Sequence, residues 1–146
     1  MTRTIMTALL LTGLAGCSAS VDSKVGQSES DSSQERTQLA AYAATAQFPR
    51  DVQPSKELPV GAVVGGDTIK IHNYSDQPLR DANVWVNGAF VRRVATIAPM
   101  GVVSIKRSQF YDATGRTLAS QQTTITRVQV QAGDTVYNAL GPVSDG

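Results

Sequence analysis

The sequence has little of what disulfide-linked domains and most catalytic centres require. Its 146 residues include one cysteine, Cys17, and one histidine, His72. A single cysteine excludes an intramolecular disulfide. A single histidine excludes metal sites built on histidine pairs and argues against Ser-His nucleophile systems. We therefore expect no cofactor and no metal, and a domain whose core is held together by packing alone.

An excess of charge of one sign is also missing. The chain has 13 basic and 12 acidic residues, and Arg3 is the only charged residue before Cys17. A form that begins at Cys17 would therefore have no formal net charge. Nucleic-acid-binding domains need clustered Lys and Arg to neutralise phosphates, so we expect no nucleic-acid partner. The hydrophobic content of 41% is enough for one small core.

No hydrophobic run in the sequence is long enough to cross a membrane. The apolar stretch from Ile5 to Leu11 follows a single positive charge at Arg3. It is well short of the roughly 20 residues that a spanning helix needs. A charged start, a short apolar run and small residues beyond it are typical of a secretory signal peptide. We assign residues 1–16 to this leader and expect it to be removed.

The motif Leu14-Ala15-Gly16-Cys17 resembles the lipobox of bacterial lipoproteins. The resemblance implies cleavage between Gly16 and Cys17 and attachment of lipid chains such as palmitate to Cys17. Two or more acyl chains anchor a protein stably, whereas one chain does not. The membrane is thus an expected partner. Ser18 follows the cysteine, which by the same resemblance favours the outer membrane, facing the periplasm, over the inner membrane.

Residues 17–38 are rich in Ser, Gln and acidic side chains. Such a segment buries too little apolar surface to offset chain entropy, and we predict a disordered tether; a solvated loop packed on the domain is the alternative. Residues 39–58 form an alanine-rich segment and linker. Leu39, Tyr42, Ala43 and Ala46 recur at helical spacing before Phe48-Pro49, which predicts one short helix docked through Leu39 and Tyr42.

Residues 59–141 change to a period of two, which is typical of strands. Ile69 and Ile71 alternate with polar residues, and Asn87-Gly88 predicts a hairpin with a two-residue loop. The pairs that such a loop predicts are Val86 with Ala89, Trp85 with Phe90, Val84 with Val91, and Asn83 with Arg92. Further strands are predicted at 102–106, 109–111, 123–131 and 135–140, before a flexible tail at 142–146. The predicted fold is all-β, a small antiparallel β-sandwich.

Two segments, residues 73–79 and 110–116, resemble parts of small immunoglobulin-like or FxLYD-type β-sandwich domains of bacterial envelope proteins. They read Asn-Tyr-Ser-Asp-Gln-Pro-Leu and Phe-Tyr-Asp-Ala-Thr-Gly-Arg. The likeness implies an immunoglobulin-like sandwich. Domains of this kind share no common chemistry, so the resemblance implies no catalytic residue.

The predicted hairpin supplies the only candidate binding residues, Trp85, Phe90 and Arg92. If the aliphatic side chains face inward, two aromatic rings lie exposed beside a guanidinium, a composition typical of interaction patches. In the alternative, the aromatic rings form the core. The aspartates Asp67, Asp76, Asp81, Asp112 and Asp134 fall almost entirely at predicted turns, where the carboxylate accepts backbone hydrogen bonds.

The sequence as a whole favours a lipid-anchored envelope lipoprotein whose β-sandwich is not an enzyme and binds a protein or cell-wall partner. One alternative is a structural subunit of an envelope machine. The other, less favoured, is a small envelope enzyme that uses turn carboxylates, which requires at least two of the aspartates to share a pocket.

Overall fold

The computed structural model describes residues 23–57 and 59–139, with side chains of the helix described from Ser32 onward. The predicted leader, the motif at Gly16 and Cys17, and the tail 142–146 lie outside these residues. The described chain forms one α-helix and seven strands. They are α1 (Ser23–Thr45), β1 (Val60–Val64), β2 (Thr68–Asn73), β3 (Leu79–Val86), β4 (Phe90–Ile97), β5 (Val102–Lys106), β6 (Val128–Ala132) and β7 (Thr135–Asn138). No described helix is both long and apolar enough to span a bilayer.

The strands form two antiparallel sheets, as the predicted β-sandwich requires. One sheet has the order β1-β2-β5 and the other the order β4-β3-β6-β7. The inward side chains of both sheets form one core that includes Ile69, Ile71 and Phe110, each 0% exposed. The chain is therefore mostly β, and the alternation of Ile69 and Ile71 with polar neighbours is confirmed in β2, where the burial pattern also alternates.

The loops at one end of the sandwich are tied together by a buried amide. Asn73, at the end of β2, is 0% exposed. Its Nδ2 donates to the carbonyl oxygens of Gln77 at 2.7 Å, Ala98 at 3.1 Å and Ile97 at 3.3 Å. Its Oδ1 accepts from the backbone N–H of Ser75 at 3.0 Å. One side chain thus joins the β2–β3 loop to the β4–β5 loop.

The β3–β4 hairpin differs from the sequence prediction by one residue. The structure pairs Val86 with Phe90 and Trp85 with Val91, so the turn contains three residues, 87–89, and the predicted two-residue register is wrong. Asn87 and Gly88 adopt φ values of 52° and 66°. Since side chains alternate along a strand, the shift places Trp85 and Phe90 on opposite faces of the sheet.

The side chain of Asn87 gives a physical reason for the longer turn. Its Nδ2 donates to the carbonyl oxygen of Thr124 at 2.8 Å, and its Oδ1 accepts from the backbone N–H groups of Thr126 and Arg127. These bonds hold the turn against the segment before β6. They also replace strand pairing there, so the strand predicted at 123–131 begins only at Val128.

The strand predicted at 109–111 is not present in the structure. Arg107–Gln109 forms a short 3-10 turn, and Tyr111 makes isolated bridges to Val91 and Thr117. The backbone N–H of Tyr111 donates to the carbonyl oxygen of Val91, and that of Val91 donates in return. This segment therefore covers part of the edge of β4.

Helix α1 is longer than the short helix predicted for the alanine-rich segment. It begins at Ser23, within the segment whose composition predicts a disordered tether, and ends at Thr45. The predicted contact is present, because Leu39, Tyr42 and Ala43 belong to an apolar cluster on the four-stranded sheet. Once one end of a helix is docked, each further residue adds a hydrogen bond without a new nucleation cost, which accounts for its extension through a polar sequence.

Candidate functional site

The structure does not bring Trp85, Phe90 and Arg92 together on one exposed face. Trp85 is 3% exposed and lies on the outer face of the four-stranded sheet, beneath α1, whereas Phe90 is 6% exposed and belongs to the core between the sheets. The guanidinium of Arg92 pairs with Glu35 of α1 at 3.1 Å. The exposed aromatic patch of the first alternative is therefore wrong, since both rings are buried; the second alternative holds for Phe90, which lies in the core, but not for Trp85, which lies beneath α1.

Trp85 anchors the helix to the sheet. It packs with Ala43, Val91 and Tyr111, and the ring of Phe48 meets it edge-on at a centroid distance of 5.4 Å. The indole Nε1–H donates to Oε1 of Gln131 at 3.2 Å, so its polar atom has a partner. Buried tryptophan with a satisfied N–H is the usual way in which this residue stabilises a contact.

Tyr42 strengthens the same contact from the helix side. Its hydroxyl donates to Oδ1 of Asn83 at 2.7 Å. The guanidinium of Arg93 lies over the Tyr42 ring, 5.6 Å from its centroid, and also pairs with Asp81 at 2.9 Å. The outer face of β3 and β4 is therefore occupied by the chain's own helix, through apolar, hydrogen-bonded and cation-π contacts.

A groove of about 830 Å³ opens beside this docked helix. It lies between the end of α1, the following segment 46–52, the β3–β4 turn and the turn that begins at Asp112. Its wall includes Ala43, Ala46, Phe48, Arg50, Trp85 and Asp112. The volume falls within the range of small-ligand and peptide pockets. We call it the Phe48 groove.

The Phe48 groove has a basic end. A neighbouring cavity of about 360 Å³ shares Phe48, Arg50 and Gly88 with the groove and adds Arg127. The guanidinium of Arg127 lies 5.5 Å from the centroid of the Phe48 ring. A Cβ on Gly88 would lie 3.2 Å from Nη2 of Arg127, so the glycine allows this close packing. Within the described residues neither arginine forms a salt bridge, and their N–H groups are suited to carboxylate or phosphate oxygens.

Asp112 is the one aspartate of the groove wall that is buried, at 7% exposure. Its carboxylate accepts from the backbone and hydroxyl of Thr114 and from the backbone and Nε of Arg116. Burial raises the pKa of this carboxyl, but the hydrogen bonds from Thr114 and Arg116 together outweigh burial and leave the pKa below its usual value. Asp112 therefore stays ionised and holds the turn.

The other sequence candidates are dispersed over the fold. His72 lies on the outward face of β2, and its ring stacks on that of Tyr74 with the ring centroids 5.7 Å apart. Asp81 lies on β3, while Asp67, Asp76 and Asp134 lie in turns between strands, where turn aspartates were predicted. Among the described residues no group of three or more His, Cys, Asp or Glu side chains is arranged to hold a metal ion.

Sequence reasoning did not identify the Phe48 groove. The signal available was Phe48-Pro49, which was interpreted only as the end of a helix. Asp51 also lines the groove, and it was not among the aspartates considered in the sequence analysis. The groove depends on contacts between residues near 48, 88 and 112, and spacing along the chain does not show such contacts.

The chain was compared with family models, curated proteins and solved structures. No family model, curated protein or solved structure matches the chain.

Proposed function

We propose that the chain is an exported lipoprotein, anchored through lipid on Cys17, whose β-sandwich is a non-catalytic binding module. The observation that carries the proposal is the motif Leu14-Ala15-Gly16-Cys17 directly after a short apolar run. The Ser18 that follows favours the outer membrane, facing the periplasm. The immunoglobulin-like assignment of the sandwich, based on residues 73–79 and 110–116, belongs to the same proposal.

In this proposal α1 connects the lipid-anchored segment to the sandwich. It has 23 residues, which corresponds to a length of about 35 Å. The side chains from Ser33 to Gln38 are exposed, while the cluster around Leu39 and Ala43 packs on the sheet. A helix that is solvated at one end and docked at the other would link the anchored end of the chain to the outer face of the four-stranded sheet.

The Phe48 groove is the proposed binding site for a protein or cell-wall partner. Its apolar wall and the two arginines at its basic end fit a segment that bears an apolar group next to a carboxylate or phosphate. The lowered pKa of Asp112 does not suit this carboxyl to the role of a general acid in the groove. A general acid of a glycosidase needs a raised pKa, whereas hydrogen bonds lower the pKa of Asp112.

A second candidate, a structural subunit of a larger envelope assembly, is favoured by the edge of the three-stranded sheet. β5 pairs with β2 alone within the described part of the chain. An edge strand presents backbone N–H and C=O groups to which another strand can be added. Incorporation of β5 into a neighbour's sheet would distinguish this role from binding at the Phe48 groove.

The anchor is tested by metabolic labelling with a fatty acid. Cys17→Ser should abolish incorporation of the label and block cleavage of the leader, whereas Ser20→Ala, a control three positions away, should be labelled like the native chain. Intact-mass analysis of the native protein should show an acylated residue 17. Equal labelling of Cys17→Ser and the native chain would reject the anchor.

The groove is tested by photo-crosslinking in the native envelope. A photoreactive amino acid at Arg50, exposed on the rim of the groove, should give a discrete crosslinked product. The same amino acid at Asp134, exposed in the β6–β7 turn, is the matched control and should not. Identical crosslinking from both positions would indicate nonspecific contact and would reject the groove as the binding site.

A further inference from the structure

The outer face of the three-stranded sheet, which we call the β2 face, is not covered by α1. That helix packs against the four-stranded sheet on the opposite side of the sandwich. Alternate residues of each strand point away from the core. They are Gly61 and Val63 of β1, Thr68, Lys70 and His72 of β2, and Val102, Ser104 and Lys106 of β5.

The charges on the β2 face are all of one kind. Lys70 and Lys106 are its charged side chains at neutral pH, and none of its outward strand positions holds a carboxylate. In the strand register Lys70 lies opposite Ser104, and Lys106 lies opposite Thr68. Neither lysine forms a salt bridge with any residue of the described ranges. The outward strand positions therefore carry two positive charges, and Asp67 and Arg107, which line a small cavity with Lys106, add one charge of each sign beside them.

Exposed apolar side chains accompany these lysines. Val63 is 42% exposed and Val102 57% exposed, both on the β2 face. At the same end of the sheet as Val102, Met100 is 72% exposed and Tyr74 is 56% exposed. These four account for most of the large hydrophobic side chains that the described residues expose. Val63 and Val102 lie on the two outer strands of the sheet with the polar side chains of β2 between them, so the face combines apolar and cationic groups.

We propose that the β2 face docks on the anionic lipid surface to which the chain is anchored. This proposal rests on the lipid anchor at Cys17 and adds an orientation to it. Lysine side chains extend their ammonium groups to lipid phosphates while their methylene stems remain in the interface. Tyrosine and small apolar side chains are suited to the boundary between headgroups and acyl chains. Positive charge and exposed apolar surface on one face thus match an anionic bilayer.

The first test is lysine footprinting on the processed native protein after it is mixed with vesicles. Vesicles of phosphatidylcholine alone are compared with vesicles that also contain phosphatidylglycerol, and an amine-reactive reagent reports each lysine by mass spectrometry. Lys70 and Lys106 should react more slowly on the anionic vesicles. Lys56, which is exposed in the linker before β1 and outside the face, is the matched control and should react equally on both.

The second test changes the charge without changing the fold. Each lysine near an anionic surface contributes about a fivefold preference for the docked state, so Lys106→Gln should lower the ratio of docked to free molecules roughly fivefold. Lys70 should then regain reactivity on the anionic vesicles. Salt at 0.5 M should have the same effect, because it screens the attraction. The control Lys56→Gln should leave the footprint of Lys70 unchanged.

The outcomes separate the docking face from the anchor. Protein that does not associate with neutral vesicles lacks the lipid, and the anchor is then rejected. Protein that associates with both kinds of vesicle but shows equal reactivity of Lys70 on both rejects the docking face while the anchor stands. Protection that is equally strong on neutral vesicles and increases with protein density would assign the face to a second copy of the chain and would also overturn the proposal.

Discussion

The sharpest test of the fold is to replace Asn73 by aspartate. The substitution keeps the size of the side chain and keeps Oδ1 as the acceptor for Ser75. It replaces the donor Nδ2 by an oxygen that faces the carbonyl oxygens of Gln77, Ile97 and Ala98. The new carboxylate oxygen would then face carbonyl oxygens with no hydrogen atom between them, at a position that is 0% exposed.

The expected loss can be worked out from these contacts. The two N–H groups of the Asn73 amide are the donors of these hydrogen bonds. Loss of a hydrogen bond that leaves a buried acceptor unpaired costs about 1 to 3 kcal/mol. We therefore expect the free energy of unfolding to fall by about 2 to 6 kcal/mol at pH 7. For a domain of this size the midpoint of thermal unfolding should fall by roughly 10 to 30 °C.

The loss should also depend on pH. In the folded variant the new carboxyl would be buried against carbonyl oxygens, which disfavours its ionised form and raises its pKa above the value of about 3.9 in the unfolded chain. Stability is therefore retained below about pH 4 and falls as the pH rises, because only the unfolded state releases the proton. Asn73→Asp should accordingly be closer to the native chain at pH 4 than at pH 7.

Thermal and urea unfolding of the native chain and Asn73→Asp at both pH values provide the measurement. Asn138→Asp is the matched control. That residue is exposed, and its Oδ1, which accepts from Gln129 at 2.8 Å, is retained. We expect the control to change stability by less than about 0.5 kcal/mol. If Asn73→Asp behaved like Asn138→Asp at pH 7, Asn73 would not join the loops, and the reasoning would be refuted.

Three further substitutions test the helix contact and the groove wall. Trp85→Ala should lower the free energy of unfolding by about 3 to 5 kcal/mol, because it leaves a cavity under α1; a partner-binding defect at unchanged thermal stability would instead place Trp85 on the surface. Arg92→Ala should cost less than about 1 kcal/mol in urea unfolding, since its partner Glu35 is half exposed, and a loss of several kcal/mol would contradict this. Asp112 has a lowered pKa, so it contributes stability above about pH 4 that is lost as the pH falls further. In Asp112→Asn that acid dependence should be weaker in unfolding measured from pH 6 to pH 3, and an unchanged slope would contradict the assignment.

Patterns of a few consecutive residues were sufficient to predict some of the helices and strands. The alternation of Ile69 and Ile71 with Lys70 predicts β2, and burial of every second side chain is what a strand between core and solvent produces. The helical spacing of Leu39 and Tyr42 predicts the docked part of α1 in the same way. These predictions hold because side-chain periodicity is a property of a few consecutive residues.

The register of the β3–β4 hairpin could not be predicted from local patterns. Asn87-Gly88 predicts a turn at the right place, but its length depends on a hydrogen bond that Asn87 donates to Thr124 and one that it accepts from Thr126, which lie far away in sequence. A shift of one residue moved Phe90 to the opposite face from Trp85. The predicted binding face therefore grouped Trp85 and Phe90, which lie on opposite faces of the sheet.

The sequence by itself predicted a lipid anchor, through Cys17 and the residues before it, and predicted a domain that is mostly β, as the structure has it. Only the tertiary structure decided that α1 covers Trp85, that the Phe48 groove forms beside it and that Lys70 and Lys106 share one face. The physical reason is range. A signal motif and a strand period act through adjacent residues, whereas faces and grooves form when segments distant in sequence compete to bury the same apolar surface.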